Sequence, residues 1–337
     1  MTYRAMQITE PGKLELVQRE MPEPGYGEVL IKVEACGICG ADIFDIDGAD
    51  KNQSPPRVPG HEVVGRLLSV GKGTPEFWKV GQRVGIGRLG GPCYACDACR
   101  QGHFQQCSDQ PVTGSSVDGG YAEVMLARSS GLVSIPETLD STEAAPILCA
   151  GIATFNALKK CGAEAGDTVA ILGIGGLGHM AIQYAQRMGY RVVAIGRGED
   201  IESNVLKLGA HHYVDTNKES ISEACAKLGA IQAAIVTINQ PTLTSELTNQ
   251  LATKGRVIIL GAGSQPLVFR SGALVGGEKQ IQGSITGTPF ENEKALKFSV
   301  LSHVRPLVET MPLELANEAF QRMKSGDAKF RIVLTMN

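Results

Sequence analysis

Apolar and polar residues alternate along the first 35 or so positions, as in Leu14-Glu-Leu-Val-Gln18 and Glu28-Val-Leu-Ile-Lys-Val-Glu34. Alternation with a period of two, punctuated by Pro22, Pro24, Gly25 and Gly27, describes half-buried antiparallel strands joined by turns. Further strand-like runs stand at 63–70, 82–86, 121–126 and 131–135, with Gly71, Gly73, Gly81, Gly87, Gly90 and Gly91 supplying turns. Roughly the first 140 residues therefore predict a β-rich, barrel-like domain. Near Ser141 the pattern changes: Ser141 or Thr142 is the expected cap of a helix. From there to about residue 285, short β-branched runs alternate with helical spacing. Strands are expected at 168–172, 191–195, 211–215, 231–237, 255–260 and 280–285, and helices at 178–188, 201–208, 217–228 and 242–253. That rhythm describes a doubly wound parallel sheet. After Gly287 come helical patterns at 292–301 and 313–324 and a strand at 331–334, expected to return to the first domain. The fold class is thus α/β, with a β-rich, barrel-like domain at 1–145, to which 287–337 returns, and a doubly wound domain at 146–286.

Composition narrows the function. The chain has 337 residues, too many for one ordinary core, and a net charge of −3, which disfavours a nucleic-acid surface. No apolar run is long enough to span a bilayer, and Met1-Thr-Tyr-Arg4 does not open a signal peptide. The expectation is a cytoplasmic protein with no nucleic-acid or membrane partner. Nine cysteines in such a compartment bind metal or do chemistry more often than they pair.

Gly173, Gly175 and Gly178 stand in G-x-G-x-x-G spacing between a strand pattern and a helical one. The first glycine permits a tight turn, the second lets backbone approach a pyrophosphate, and the third lets helix and strand pack closely. A diphosphate would then lie over Gly173, Gly175, Gly176, Leu177 and Gly178, on amides at the helix N-terminus. Among 41 glycines the motif alone is weak; its position between strand and helix is what points to dinucleotide binding.

Cys93, Cys96, Cys99 and Cys107 form the most specific pattern in the chain. Four thiolates in one loop suit a closed tetrahedral zinc site, hence a structural one. A redox C-x-x-C pair would need no third and fourth cysteine. A DNA-binding zinc ribbon shares the spacing but lacks a basic recognition helix nearby. The remaining candidates are scattered: Cys36-Gly-Ile-Cys39-Gly-Ala-Asp42, Gly60-His61-Glu62 and Cys149. Each alone reads as a packed residue as readily as a ligand.

Taken in this order, the motifs resemble the zinc-dependent medium-chain alcohol dehydrogenase family along essentially the whole chain. The resemblance implies a GroES-like catalytic domain beside a Rossmann domain, two zinc ions per subunit, and NADP or NAD as cofactor. It implies that Cys39, His61 and Cys149 bind a catalytic zinc, with Glu62 as an outer or alternate ligand and Asp42 behind His61. Two thiolates and a neutral imidazole balance the ion's charge and leave a fourth position open, where an alcohol is acidified or a carbonyl polarised. Arg331 resembles a family arginine near the cofactor diphosphate. Cys36, Cys161 and Cys225 are assigned to packing, and His179 either to the diphosphate or to the core.

The implied activity is reversible hydride transfer between an alcohol and its aldehyde or ketone and NAD(P), in a homodimer or homotetramer. A polyol or sugar dehydrogenase of the same superfamily is the alternative within enzymes; a zinc-stabilised structural protein is the alternative outside them. A zinc-free quinone reductase would lack Cys39, His61 and Cys149. The second nucleotide strand closes on Gly196 and Arg197 where NAD enzymes usually place an acid, so NADP is the expected preference, with Arg197 on the 2′-phosphate; the alternative puts Arg197 on adenine or in solvent and Glu199 or Asp200 on the ribose. By the resemblance, Asp50, Arg88 and Leu89 align with the family's pocket-lining positions and predict a polar pocket, with Arg88 either meeting a carboxylate or hydroxyl of the substrate or pointing outward from the loop that leads into the four-cysteine lobe. Ala41 and Phe44 occupy positions where the family often carries a proton-relaying hydroxyl and histidine. Neither side chain moves a proton, so ordered water, Thr154, Ser116 or Glu62 is expected to take over.

Overall fold

The computed structural model describes residues 1–48 and 56–336; the pocket expectation for Asp50 lies outside the described residues. Contacts divide the chain into one unit of residues 1–149 and 287–337 and another of 150–286. In chain order the strands are β1 (Thr2–Glu10), β2 (Lys13–Glu20), β3 (Glu28–Ile38), β4 (Glu62–Val70), β5 (Arg83–Ile86), β6 (Val124–Arg128) and β7 (Val133–Ser134). Then come β8 (Thr168–Leu172), β9 (Arg191–Gly196), β10 (His212–Asp215), β11 (Ile231–Val236), β12 (Leu251–Ile259) and β13 (Gln280–Gly283), and last β14 (Val308–Pro312) and β15 (Arg331–Thr335).

In the first unit the alternating N-terminal segments make an antiparallel pair, β1 with β2. The larger sheet runs β14-β15-β3-β4-β5-β7, with β6 also on β3. Strand β3 is its spine. Its first half pairs with β6 and its second half with β15, while β4 runs along the other edge. Ile31, Val33, Val63, Leu67, Val84, Ile86 and Phe320 form the dry core of this unit. The ladders on either side of β3 set Gly37 opposite Glu62 and Cys36 opposite Leu334.

The second unit is a six-stranded parallel sheet in the order β10-β9-β8-β11-β12-β13. The near-continuous apolar strands are what a sheet covered by helices on both faces requires. The chain winds outward from β8 to β10 and resumes on the other side at β11, so the topological switch point falls at the C-terminal end of β8.

Several boundaries differ from the sequence expectation. The helix at Ser141–Pro146 is capped by Asp140, whose carboxylate accepts from Thr142 N at 2.8 Å, rather than by Ser141 or Thr142. Residues 251–253 belong to β12, not to the preceding helix, which ends at Asn249. The strand starts early because its ladder to β11 slips between two registers, where Lys254 takes φ 62° ahead of Gly255. The expected strand at 121–126 begins at Val124. Gly120 and Tyr121 instead donate to the carbonyls of Gly60 and Pro59, each at 3.0 Å. The short helix Asp42–Ile46 and strand β14 carry no clear periodicity, and the hydrophobic pattern does not predict them.

Candidate active site and metal centres

Strand β3 ends at Ile38, and the turn after it carries Cys39 into the helix Asp42–Ile46. Strand β4 begins at Glu62, so His61 and Glu62 enter beside that turn. Cys149 comes from a single π turn, Ile147–Gly151, a local widening that re-aims a side chain. Asn292 Nδ2 donates to Leu148 O at 3.3 Å and steadies that turn. One ligand atom each from Cys39, His61, Glu62 and Cys149 lies within 4.8 Å of the others.

The donor set fits zinc. The Cys39 and Cys149 sulfurs are 3.8 Å apart. Two sulfurs on one tetrahedral ion, with bonds of about 2.3 Å, would stand about 3.8 Å apart. His61 is fully buried, its Nδ1 is 2.8 Å from Asp42 Oδ1, and its Nε2 has no hydrogen-bond partner among the described residues. An Nδ1–H given to the carboxylate leaves the Nε2 lone pair for a metal. Burial opposes a protonated imidazole, but the Asp42 carboxylate and Cys39 outweigh it and raise the His61 pKa to about 10. The pocket is thus built to hold positive charge. The Cys39 thiol is held well below its usual range, chiefly by its hydrogen bond with Cys149, and Cys149 is pushed well above for the same reason.

Asp42 is the hub of the support. Its Oδ2 accepts from Cys39 N at 2.8 Å and from Tyr121 OH at 3.0 Å. Glu62, fully buried, is gripped by Arg331, which is 3% exposed. Burial raises the Glu62 pKa to about 7, with Arg331 pulling against it. Arg331, expected at a cofactor diphosphate, is therefore engaged with Glu62 in the first unit. Gly37 makes room for this carboxylate: a Cβ there would lie 2.0 Å from Glu62 Oε2. No sequence signal marks either Gly37 or Tyr121. A glycine within C-x-x-C and a tyrosine in a strand-like run carry no chemical meaning until the register is known.

Arg88 turns inward. It makes a two-pronged ion pair with Asp45, one arm of which is Nη2 to Oδ1 at 3.0 Å. Leu89 forms an isolated bridge with Val112. Thr154 donates to Ala150 O at 2.7 Å and Gly151 O at 3.1 Å, which turns its hydroxyl onto its own helix. Ser116 is exposed and accepts from Val112 N at 2.8 Å.

The cysteine lobe is local in sequence. Ligand atoms of Cys93, Cys96, Cys99 and Cys107 lie within 4.8 Å of one another. Tyr94 takes φ 60° and so turns the Ala95 and Cys96 amides onto Cys93 Sγ, at 3.4 and 3.3 Å. These backbone donors lower the Cys93 pKa, and amides of Cys99 and Ser108 lower that of Cys96 to about 6. Thiolates so held suit a closed four-sulfur zinc site.

At the end of β8, Gly173 takes φ 95° and a Cβ would strike Thr237 and Ile238 at 2.6 Å. A Cβ on Gly178 would lie 1.9 Å from Gly173 O, so that glycine sets the helix Gly178–Arg187 tight on the turn. Gly175 is different: a Cβ there meets nothing within 4 Å, leaving its backbone open to a ligand, with Gly176 and Leu177 leading into the helix. His179 is buried with Nδ1 3.2 Å from Gly175 O and so serves the turn itself. β9 ends at Gly196. Of the acids around it, Asp215 accepts from Gly198 N at 2.9 Å and Glu199 pairs with Lys218, while Asp200 is exposed beside Gly198. Arg197 is exposed.

Comparisons with known proteins agree with this architecture. Residues 25–137 match the alcohol dehydrogenase GroES-like domain, and residues 176–300 match the zinc-binding dehydrogenase domain. An alcohol dehydrogenase of Aspergillus sp. (strain MF297-2) is 40% identical over 338 residues, covering 100% of this chain and 98% of the relative. An alcohol dehydrogenase of Geobacillus stearothermophilus is 40% identical over 327 residues, 96% of each chain. Among solved structures, a cinnamyl alcohol dehydrogenase from Sorghum bicolor superposes with a TM-score of 0.89 at 30% identity, covering 99% of this chain and 98% of the other.

Proposed function

We propose, from the premise that this chain belongs to the zinc-dependent alcohol dehydrogenase family, that Cys39, His61 and Cys149 hold its catalytic zinc and the four-cysteine lobe a structural one. The enzyme is a zinc-dependent oxidoreductase acting on CH–OH groups of small molecules, with NAD(P) as the hydride carrier. The observation that carries the assignment of the site is the fit of two sulfurs 3.8 Å apart, and an imidazole with a free Nε2, to one tetrahedral ion. When bound there, zinc supplies a Lewis acid for an alcohol or carbonyl oxygen.

The chain's own residues set up that chemistry. Asp42 fixes the His61 tautomer and raises its basicity. Tyr121 and the Cys39 amide hold Asp42 in turn. Arg331 neutralises Glu62 and keeps that carboxylate beside the ligands without a second uncompensated charge in the pocket. The glycine turn at Gly173, Gly175 and Gly178, with Gly176 and Leu177, receives the cofactor diphosphate on the amides opening the helix.

NADP is the preferred cofactor in this reading. Gly196 offers no carboxylate to repel a 2′-phosphate, Glu199 is tied to Lys218, and exposed Arg197 is free to pair with phosphate. Assembly as a homodimer or homotetramer is supported by the edge strand β13, which is largely exposed, and by the bare side chains of Val268, Val275 and Ile285 in the same unit. Two clusters of thiolate ligands favour the reducing cytoplasm, and no helix among the described residues is long and apolar enough to cross a membrane.

Metal analysis tests the assignment. Two zinc ions per chain are expected, falling to one with loss of turnover in Cys39→Ser. One zinc in fully active protein would refute it.

A further inference from the structure

The clue is a second arginine–carboxylate pair beside the metal cluster. It rests on the catalytic assignment above and extends it to the substrate. Arg88 lies just past β5, and the intervening Gly87 packs on the turn that presents Cys149: a Cβ on Gly87 would lie 2.8 Å from Leu148 O. Asp45 lies three residues after Asp42 on one helix face. Its carboxylate, that of Asp42 and a ring nitrogen of His61 all stand within 4.8 Å of one another. Arg88 is thus bracketed by the Cys149 turn on one side and the Asp42–His61 pair on the other, and it feels the charges of Asp42 and Cys149.

The exposure gradient gives the direction. His61, Asp42 and Glu62 are completely buried and Asp45 is 1% exposed, whereas Cys149 reaches 9% and the Arg88 side chain 22%. Solvent, and therefore a small molecule, approaches the cluster on the side where Arg88 sits. The guanidinium has five N–H groups, and the Asp45 pair uses two. We propose that Arg88, fixed by Asp45, donates one of the remaining N–H groups to an uncharged second oxygen of the substrate. That oxygen sits next to the carbon that is oxidised or reduced. The substrate class is then vicinal diols, hydroxyketones or hydroxyaldehydes rather than simple alcohols. Arg88 is a binding residue and Asp45 its positioning residue.

Charge decides against a carboxylate in that role. Asp45 already neutralises Arg88, Arg331 neutralises Glu62, and two thiolates balance a zinc ion. Asp42 then leaves the pocket negative, and a substrate anion would enter against it. A hydroxyl or carbonyl oxygen takes the N–H without that penalty. The same oxygen offers a local proton acceptor where Ala41 and Phe44 provide none.

The test compares kcat/KM for butane-2,3-diol with butan-2-ol, 3-hydroxybutan-2-one with butan-2-one, and lactate with propan-2-ol, zinc content being measured on the same samples. A hydrogen bond from a charged donor predicts a preference of about 10- to 100-fold for the first member of the first two pairs and none for lactate. Arg88→Leu should erase that preference, the loss being at least about tenfold greater on the dioxygenated substrate and lying mainly in KM. Asp45→Asn should weaken it without changing zinc content. Wild-type ratios near one, equal losses on both members of a pair, or a preference for lactate would each overturn the proposal. The wild-type ratios need no variant, so a misfolded Arg88→Leu does not shelter the idea. Failure of the catalytic assignment looks different: it would appear as a zinc content of one in active protein.

Discussion

Gly37→Ala is a small change with a large expected effect. Gly37 has an ordinary extended backbone in β3, so alanine brings no strain of its own. The conflict is purely steric. The new Cβ would lie 2.0 Å from Glu62 Oε2, 3.0 Å from its Cδ and 3.1 Å from its Cβ. Glu62 has no free space, being fully buried and gripped by Arg331. Either the carboxylate leaves Arg331, or β3 and β4 part at the register that brings Cys39 and His61 together. Breaking one side of a buried ion pair costs about 3–5 kcal/mol, which for a unit of this size lowers Tm by on the order of 10 °C. Differential scanning calorimetry on the zinc-loaded protein reads the shift, and turnover should fall with it. Gly40→Ala is the control, because a Cβ there meets nothing within 4 Å and the residue is exposed. A Gly37→Ala shift within about 2 °C of that control would refute the placement of Glu62 beneath the cluster.

Cys96→Ser should release one zinc and lower Tm while the remaining folded protein keeps its turnover, since the four-cysteine lobe holds a closed site; normal Tm after loss of that zinc would contradict a structural role. Wild-type kcat/KM should favour NADP(H), and Gly196→Asp should reverse the preference, as a carboxylate there repels a 2′-phosphate; a clear wild-type advantage for NAD(H) would remove the argument. Ala41→Thr places a hydroxyl beside Cys39 and should speed alcohol oxidation where proton removal limits it, read as a rate gain and a reduced solvent isotope effect. An unchanged rate, with no isotope effect in the wild type, would show that the absent hydroxyl carries no penalty.

The sequence by itself determined whatever is local. Four cysteines within fifteen residues (Cys93 to Cys107) can reach one ion whatever the rest of the chain does. The glycine turn likewise declares itself, because strand, turn and helix are consecutive. The β-α rhythm was legible for the same reason: burial on both faces of a parallel sheet forces apolar strands of a fixed look. Boundaries were less so where the backbone departs from its period, as at the slip by Lys254 and Gly255 or the cap at Asp140. What only the tertiary structure decided is the pairing of groups far apart in the chain. Cys39 and Cys149 are 110 positions apart, and Arg331 and Glu62 are 269 apart. In the sequence, family resemblance was the sole link among Cys39, His61 and Cys149. The link between Arg331 and Glu62, the inward turn of Arg88 onto Asp45 and the need for glycine at position 37 had none. The Arg331–Glu62 pair and the need for glycine at position 37 arise from the order and register of β3, β4 and β15, whereas Cys149 and Arg88 arrive from the turn Ile147–Gly151 and from the segment after β5; a sheet register is set by which side chains can share one buried face. That is a collective property of the packed core, which no single stretch of sequence carries.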